Sequence, residues 1–189
     1  MKLIDAIKSL KSVERYSDKK KPDWRKIIRA IDGARHAPSA RGHFAMKFIL
    51  VTDSSKIEKL KEATQQPFVS SAKYVVVAVT DDKQLVRSYS DRGVRYASQQ
   101  GGAAIQNFLL ALTEFGYVTK WIQYFYEDQV RDLFDIPDNL YIEGIFPIGI
   151  ETKVPTHELK KPDLENIIYF DKWKNKKMKP ITKIRANEP

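Results

Sequence analysis

The sequence predicts a fold of the α/β or α+β class, in which helices alternate with buried strands. Tyr74–Val79 is a continuously apolar run rich in branched side chains, which is typical of a strand covered on both faces. Segments with helical spacing of apolar residues alternate with strand-like runs, and the longest of them extends from Val94 to Phe115. A sheet buried on both faces needs a layer of helices on each of them.

Two helices are predicted before the first strand. A short amphipathic helix ends near Ser12, and its apolar positions are Leu3, Ile4, Ile7 and Leu10. Pro22 and Asp23 suit the first turn of a second helix, because proline lacks an N–H that would go unpaired there and an acidic group favours that end. The predicted buried stripe of this helix is Trp24, Ile27, Ile28 and Ile31.

The remaining elements follow from similar signals. Pro38 ends the second helix, and a strand is predicted over Lys47–Thr52. Ser55 and Glu58 fit a capping box at the start of a third helix, since each side chain can accept from an orphan backbone amide. Beyond the long helix we expect a strand or turn at Thr119–Ile122, a helix beginning near Glu127 and a strand over Tyr141–Ile150.

Composition limits the classes of function. The 189 residues contain no cysteine, so disulfides, thiolate catalysis and cysteine metal sites are excluded, and three histidines are too scattered to suggest a metal cluster. No apolar run approaches the roughly 20 residues that span a bilayer. Asp5 interrupts the apolar start that a signal peptide would need. We therefore expect a cytoplasmic protein with no membrane partner, built as one domain (residues 1–170) and a basic tail (171–189).

The net charge of +9 has three possible explanations. The cations clustered in the tail could contact nucleic acid, because neutralising phosphates needs grouped positive charge. A solvated terminus is the simpler interpretation, and we favour it because no nucleic-acid-binding motif is evident. Positive charge could also hold a cofactor that carries a phosphate group.

Motifs for several kinds of catalysis are absent from the sequence. It contains no GxGxxG fingerprint, no Walker phosphate loop and no Gly-x-Ser-x-Gly elbow. Turn and capping roles explain the paired carboxylates Asp81-Asp82 and Glu127-Asp128. A chain without an evident nucleophile or metal site is expected to leave the chemistry to a cofactor.

Four segments, in this order and at these separations, carry a family resemblance. They are residues 11–16 (KSVERY), 37–51 (beginning APSA and ending KFILV), 103–110 (AAIQNFLL) and the turn at Gly116. Together they resemble the nitroreductase family of flavin-dependent oxidoreductases, over roughly Ile4 to Phe170. The resemblance implies a nitroreductase-like α+β fold, a three-layer α/β arrangement in which helices flank a central mixed sheet. It also implies a homodimer with a C-terminal arm, Asn166–Trp173, that is domain-swapped and embraces the partner subunit.

The resemblance implies a phosphate grip for FMN at two places. In the family a basic segment with a hydroxyl follows the first helix, and the matching positions here are Lys11, Ser12 and, if the backbone turns it inward, Arg15. Glu14 departs from the pattern by placing a negative charge where a cation is expected. An Arg-Lys-Pro segment completes the grip in the family, and Lys160 and Lys161 correspond to it.

Other flavin contacts are implied along the chain. Residues 37–48 match a segment whose polar side chains reach the flavin, with Pro38 and Ser39 retained and Arg41 a new polar group. Gly42 and Phe44 replace the family's asparagine and glutamine. An amide is expected to face the ring edge at Gln66, where the end of a helix is an equally good explanation. Backbone donors are expected at the turn that includes Val118 and Thr119, although Val118 replaces a glycine.

The implied function is an FMN-dependent oxidoreductase that passes electrons from NAD(P)H to a nitro, quinone or related small-molecule acceptor, without a catalytic side chain. The departures at Glu14, Gly42, Phe44 and Val118 support an alternative, a degenerate relative that binds flavin weakly or not at all and stores flavin or binds another ligand. A nucleic-acid-binding protein that uses its tail is the least favoured interpretation.

Overall fold

The computed structural model describes residues 2–152 and 161–178, which belong to two compact units divided near residue 154. The first unit contains helices and a sheet, so the α+β class is confirmed. Its helices are α1 (Leu3–Ser9), α2 (Trp24–Ala34), α3 (Ser54–Thr64), α4 (Lys83–Tyr89), α5 (Asp91–Glu114) and α6 (Glu127–Phe134). Its strands are β1 (Met46–Val51), β2 (Tyr74–Thr80), β3 (Val118–Thr119) and β4 (Tyr141–Gly149).

The sheet has the strand order β1-β2-β4-β3, and every neighbouring pair is antiparallel. The expected mixed sheet is wrong for these four strands. A parallel pairing occurs outside them, as an isolated bridge between Ser12 and Thr119 at the β3 edge. The helix α5 between β2 and β3 does not produce parallel neighbours, because β4 lies between those two strands.

Two apolar clusters cover the two faces of the sheet, as alternation along β2 requires. Val76 and Ala78 point to the cluster formed with α2 and α5, whose largest members include Ile27, Ile105, Phe108 and Phe146. Val75, Val77 and Val79 point to the cluster on the side of α3 and α6, which includes Leu60, Val69, Val130 and Ile145. All seven β2 residues are buried, as their continuous apolar run predicts.

Helix starts and exposed faces differ from the sequence predictions. Asp53 caps α3 by accepting from the Ser55 amide at 2.8 Å, so the capping box expected from Ser55 and Glu58 is wrong.

The sequence predicts that Trp24 and Ile28 are buried in α2, yet they are 43% and 46% exposed. Their faces of α2 turn away from α5, which covers Ile27 and Ala30 instead.

The segment after α1 is attached to the sheet at two places, edge strand β3 and the chain just beyond β4. Ser12 bridges to Thr119 beside β3, and Tyr16 forms an antiparallel bridge with Glu151 beyond the end of β4. The buried Tyr16 hydroxyl donates to the carbonyls of Val13 (3.0 Å) and Pro147 (3.1 Å). Burial raises the pKa of this hydroxyl well above its ordinary value, with the charge of Glu14 adding to the effect, so it remains a neutral donor.

The second unit contains the short helix α7 (Leu164–Ile167) and an aromatic pair. The rings of Tyr169 and Trp173 lie 4.6 Å apart, and the Lys176 ammonium lies 4.0 Å from the Tyr169 ring centroid. The predicted boundary between the domain and the tail, after Phe170, falls inside this unit, and Lys160 lies outside the described residues.

Among the described helices, none has the length and apolar character that crossing a membrane requires.

Gly149→Ala should destabilise the first unit, because a Cβ at this position would overlap the ring of Tyr16. Overpacking of this kind costs about 1–3 kcal/mol. Gly33→Ala is the matched control, since its Cβ would meet the Cβ of Ala111 at an ordinary 3.6 Å and alanine favours the helix. Urea unfolding followed by circular dichroism measures both, and equal stability of the two variants would contradict the tight packing at Gly149.

Candidate functional site

A cavity of about 520 Å³ opens between the N-terminal segment, α5 and the β3 edge of the sheet. This volume lies in the range of small-molecule sites. Four stretches line it: residues 9–12 after α1; Leu109, Leu112 and Thr113 of α5; residues 116–119 with Trp121; and Ile150 with Glu151.

The position of the N-terminal wall follows from backbone pairing. The amide of Val13 donates to the carbonyl of Thr119 at 3.1 Å, which fixes the preceding Lys11 and Ser12 beside β3.

The opposite wall of the cavity begins where α5 ends. Gly116 has a φ of 75°, a conformation that glycine adopts without strain, and the Tyr117 amide returns to the Leu112 carbonyl at 2.9 Å. The chain thereby turns from α5 directly into β3.

One side of the cavity is apolar and includes a flat indole ring. The Trp121 N–H donates to the carbonyl of Glu143 at 2.8 Å, and the ring lies against Gly144, where a Cβ would overlap it. Its centroid lies 5.8 Å from that of Phe146, so the Phe146 ring packs against the indole and helps to fix its position. Leu109 and Leu112 extend this apolar wall along α5. Such a surface suits a planar aromatic ligand.

The polar side of the cavity contains the ammonium of Lys11 and the hydroxyl of Ser12. The Lys11 Nζ lies 2.6 Å from Oε2 of Glu151, a residue of the same lining. The side chain of Lys11 is 46% exposed and that of Glu151 is 24% exposed. Cation and carboxylate therefore meet at the margin of the cavity, where water still reaches both.

The structure brings together only part of the predicted site. Lys11, Ser12, Val118 and Thr119 line the cavity. The predicted residues that do not line it are Arg15, Pro38, Ser39, Arg41 and Gln66. Lys161 is exposed in the second unit.

Pro38, Ser39 and Arg41 belong to a loop that packs against the first half of α5. Arg41 lies in a short 3-10 helix (Ala40–Gly42) at a φ of 53°, and its guanidinium lies 5.7 Å from the Tyr89 ring centroid. The buried side chain of Gln100 holds this loop by accepting from the Ala45 amide and donating to the His43 carbonyl at 2.9 Å. The loop is thus ordered by contacts remote from the cavity lining.

Gln66 and Glu14 also lie outside the cavity lining. Gln66 precedes a 3-10 helix, Pro67–Ser71, and the neighbouring Gln65 amide donates to the Tyr126 hydroxyl at 3.0 Å. The Glu14 carboxylate pairs with Lys120 and is absent from the cavity lining. Its negative charge is therefore matched by a cation outside the cavity.

Sequence reasoning missed Glu151 as a site residue. It follows the buried strand β4, a position from which a charged side chain can point into a site, but the pattern does not indicate which side it faces. Among the described residues, no group of three or more histidine, aspartate or glutamate side chains is arranged to hold a metal ion.

Comparisons with known proteins agree on one family. The model of the nitroreductase family matches residues 61–150, which include β3 and Trp121. A protein of Methanocaldococcus jannaschii named as a nitroreductase is 30% identical over 87 residues, 46% of this chain and 43% of its own length. A protein of Archaeoglobus fulgidus named as an NADH dehydrogenase/NAD(P)H nitroreductase is 29% identical over 153 residues, 77% of this chain and 83% of its own length. The chain thus spans less than half of the length of the first of these two relatives.

A solved structure extends the likeness to nearly the whole chain. The crystal structure of a nitroreductase family protein from Clostridium novyi has a TM-score of 0.73 at 26% identity, covering 93% of this chain and 96% of that one. The predicted nitroreductase-like fold is confirmed.

Proposed function

We propose that this chain is an FMN-dependent oxidoreductase of the nitroreductase family, which passes electrons from NAD(P)H to a nitro, quinone or related acceptor. The observation that carries the proposal is the cavity. It joins Lys11 and Ser12, the positions that correspond to the family's phosphate grip, to the β3 turn and the flat wall at Trp121.

The residues present fit such a cofactor. A phosphate needs a cation and hydrogen-bond donors, which Lys11 and Ser12 offer at one side of the cavity. A planar ring system needs a flat apolar surface, which Trp121, Leu109 and Leu112 offer at the other. The volume of about 520 Å³ lies in the range that small-molecule sites occupy.

When bound, FMN would supply the redox chemistry, so the chain has to bind and orient it and keep water from one face. The ionisable groups in the lining are Lys11, Glu151 and Tyr117. The first two pair with each other, and the Tyr117 hydroxyl accepts from the Asp23 amide at 2.7 Å. With these groups already engaged, the proposal assigns no general acid or base to the cavity.

We propose that the protein acts as a homodimer. Leu3, Ile4 and Ile7 of α1 are 68%, 54% and 46% exposed, and Trp24 and Ile28 of α2 are also exposed. Both helices pack against α5, and apolar side chains grouped in this way favour covering by another protein surface. A second copy would also explain how Pro38, Ser39 and Arg41 could contact FMN, since they do not line the cavity of their own chain.

Two further features of the proposal rest on the sequence alone. The arm at residues 166–173 would embrace the partner subunit, and Lys160 and Lys161 would complete the phosphate grip. We place the protein in the cytoplasm, and we propose neither nucleic acid nor a membrane as its partner.

The second candidate function is a degenerate relative that binds flavin weakly or not at all. The pair between Lys11 and Glu151 favours it, because the cation at the polar side already has an anionic partner. Gly42 and Phe44 add to this, since neither side chain can donate a hydrogen bond.

The purified protein should be yellow, or become yellow with added FMN, and the flavin absorbance band should bleach on addition of NADH or NADPH without oxygen. Reoxidation by a quinone or nitro compound would complete the cycle. A protein that stays colourless at high FMN concentration would contradict the enzyme and favour the degenerate relative.

Lys11→Ala should weaken FMN binding by roughly tenfold, because among the described residues of the cavity lining it removes the one cation, at a half-exposed position. Lys8→Ala is the matched control, since Lys8 lies three residues earlier on α1, is exposed and does not line the cavity. Fluorescence titration measures both. Equal affinities of the two variants would mean that the phosphate binds elsewhere.

Sedimentation velocity should show a dimer, and the double substitution Ile4→Ser with Ile7→Ser should shift it to the monomer. Both side chains are exposed in the single chain, so the fold should survive, as circular dichroism can verify. Val86→Ser, at an exposed position on α4, should remain dimeric. A wild-type protein that sediments as a monomer at all concentrations would refute the dimer.

A further inference from the structure

The ion pair between Lys11 and Glu151 is built into the cavity. The segment that carries Lys11 is held to β3 by the bond from the Val13 amide to the Thr119 carbonyl. Glu151 is held by its bridge to Tyr16, and the neighbouring Ile150 carbonyl accepts from the Ser17 amide at 2.8 Å. Both backbones are fixed, so the 2.6 Å contact of the side chains follows from where the two segments are attached.

The pair cancels the charge of the described part of the cavity lining although the whole chain is strongly basic. Among the described residues that line the cavity, Lys11 and Glu151 are the charged ones, so their formal charges sum to zero, against +9 for the chain. A phosphate that enters would gain the attraction of Lys11 and meet the repulsion of Glu151. The two effects act over similar distances in partly hydrated surroundings, so they largely offset each other.

Glu151 is also the less exposed partner. Its side chain is 24% exposed, while that of Lys11 is 46% exposed. The lysine side chain therefore has more open space around it from which to reach a ligand. The nearby Glu14 differs, because its carboxylate pairs with Lys120 outside the lining.

We infer that Glu151 sets the ligand selectivity of this cavity by competing with a phosphate group for Lys11. The inference rests on the proposed function, because it assumes that a flavin binds there. The site then recognises the flavin mainly through the ring and distinguishes only weakly between FMN and riboflavin, which lacks the phosphate. Glu151 is a selectivity residue here and takes no part in electron transfer.

The test compares the affinities of the full-length protein for FMN and riboflavin, measured by fluorescence titration. Glu151→Gln should strengthen FMN binding by about tenfold, mainly because it releases the Lys11 ammonium to pair with the phosphate, and should change riboflavin binding by less than about twofold. Glu14→Gln is the matched control and should leave the ratio of the two affinities unchanged. Thermal unfolding verifies that each variant folds, and Glu151→Ser replaces the glutamine variant if that one does not.

The double variant Lys11→Ala with Glu151→Gln tests the competition itself. Without the ammonium, removing Glu151 should improve FMN binding by less than about threefold. An unchanged ratio of FMN to riboflavin affinity in Glu151→Gln would overturn the inference, and so would a full tenfold gain without Lys11. If neither flavin binds to any variant, the proposed function fails together with the inference; if both bind with an unchanged ratio, only the inference fails.

Discussion

The cavity depends on the attachment of residues 12–17 to edge strand β3 and to the chain that follows β4. Tyr16 carries most of this attachment, because its ring fills the space left by Gly149 and its hydroxyl donates to two carbonyls, one nearby and one on β4. Its raised pKa keeps the hydroxyl neutral, so the bonds persist over the ordinary pH range. Lys11 and Ser12 reach the cavity only because this segment is held in place.

The same attachment decides the electrostatics of the site. It brings Glu151, which follows β4, against Lys11, which follows α1, although 140 residues separate them in sequence. The chain has an excess of nine positive charges, but in the described part of the cavity lining the charges of Lys11 and Glu151 cancel. Net charge is therefore a poor guide to the affinity of this site for a phosphate, since local pairing acts over a few ångströms and the remaining cations are screened by water and salt.

Two features of the single chain agree with the proposed dimer. Apolar side chains of α1 and α2 remain exposed on helices that pack against α5. The loop with Ser39 and Arg41 is ordered by Gln100 and Tyr89, away from the cavity. Both observations have one explanation if a second copy covers the helices and places its loop near the flavin.

The sequence by itself determined the class of the fold, the buried strand β2 and the long helix α5, because periodicity and turn residues are local signals. The family resemblance suggested a common location for Lys11, Ser12, Val118 and Thr119, and the structure places all four in the lining of one cavity. The sequence did not determine that the sheet is antiparallel, that Asp53 caps α3, or that Trp24 and Ile28 face outward. Pairing direction and exposure depend on which elements become neighbours, and that is decided only when the chain packs. The contact of Glu151 with Lys11 is of the same kind: each charge is visible in the sequence, but only the tertiary structure places them 2.6 Å apart.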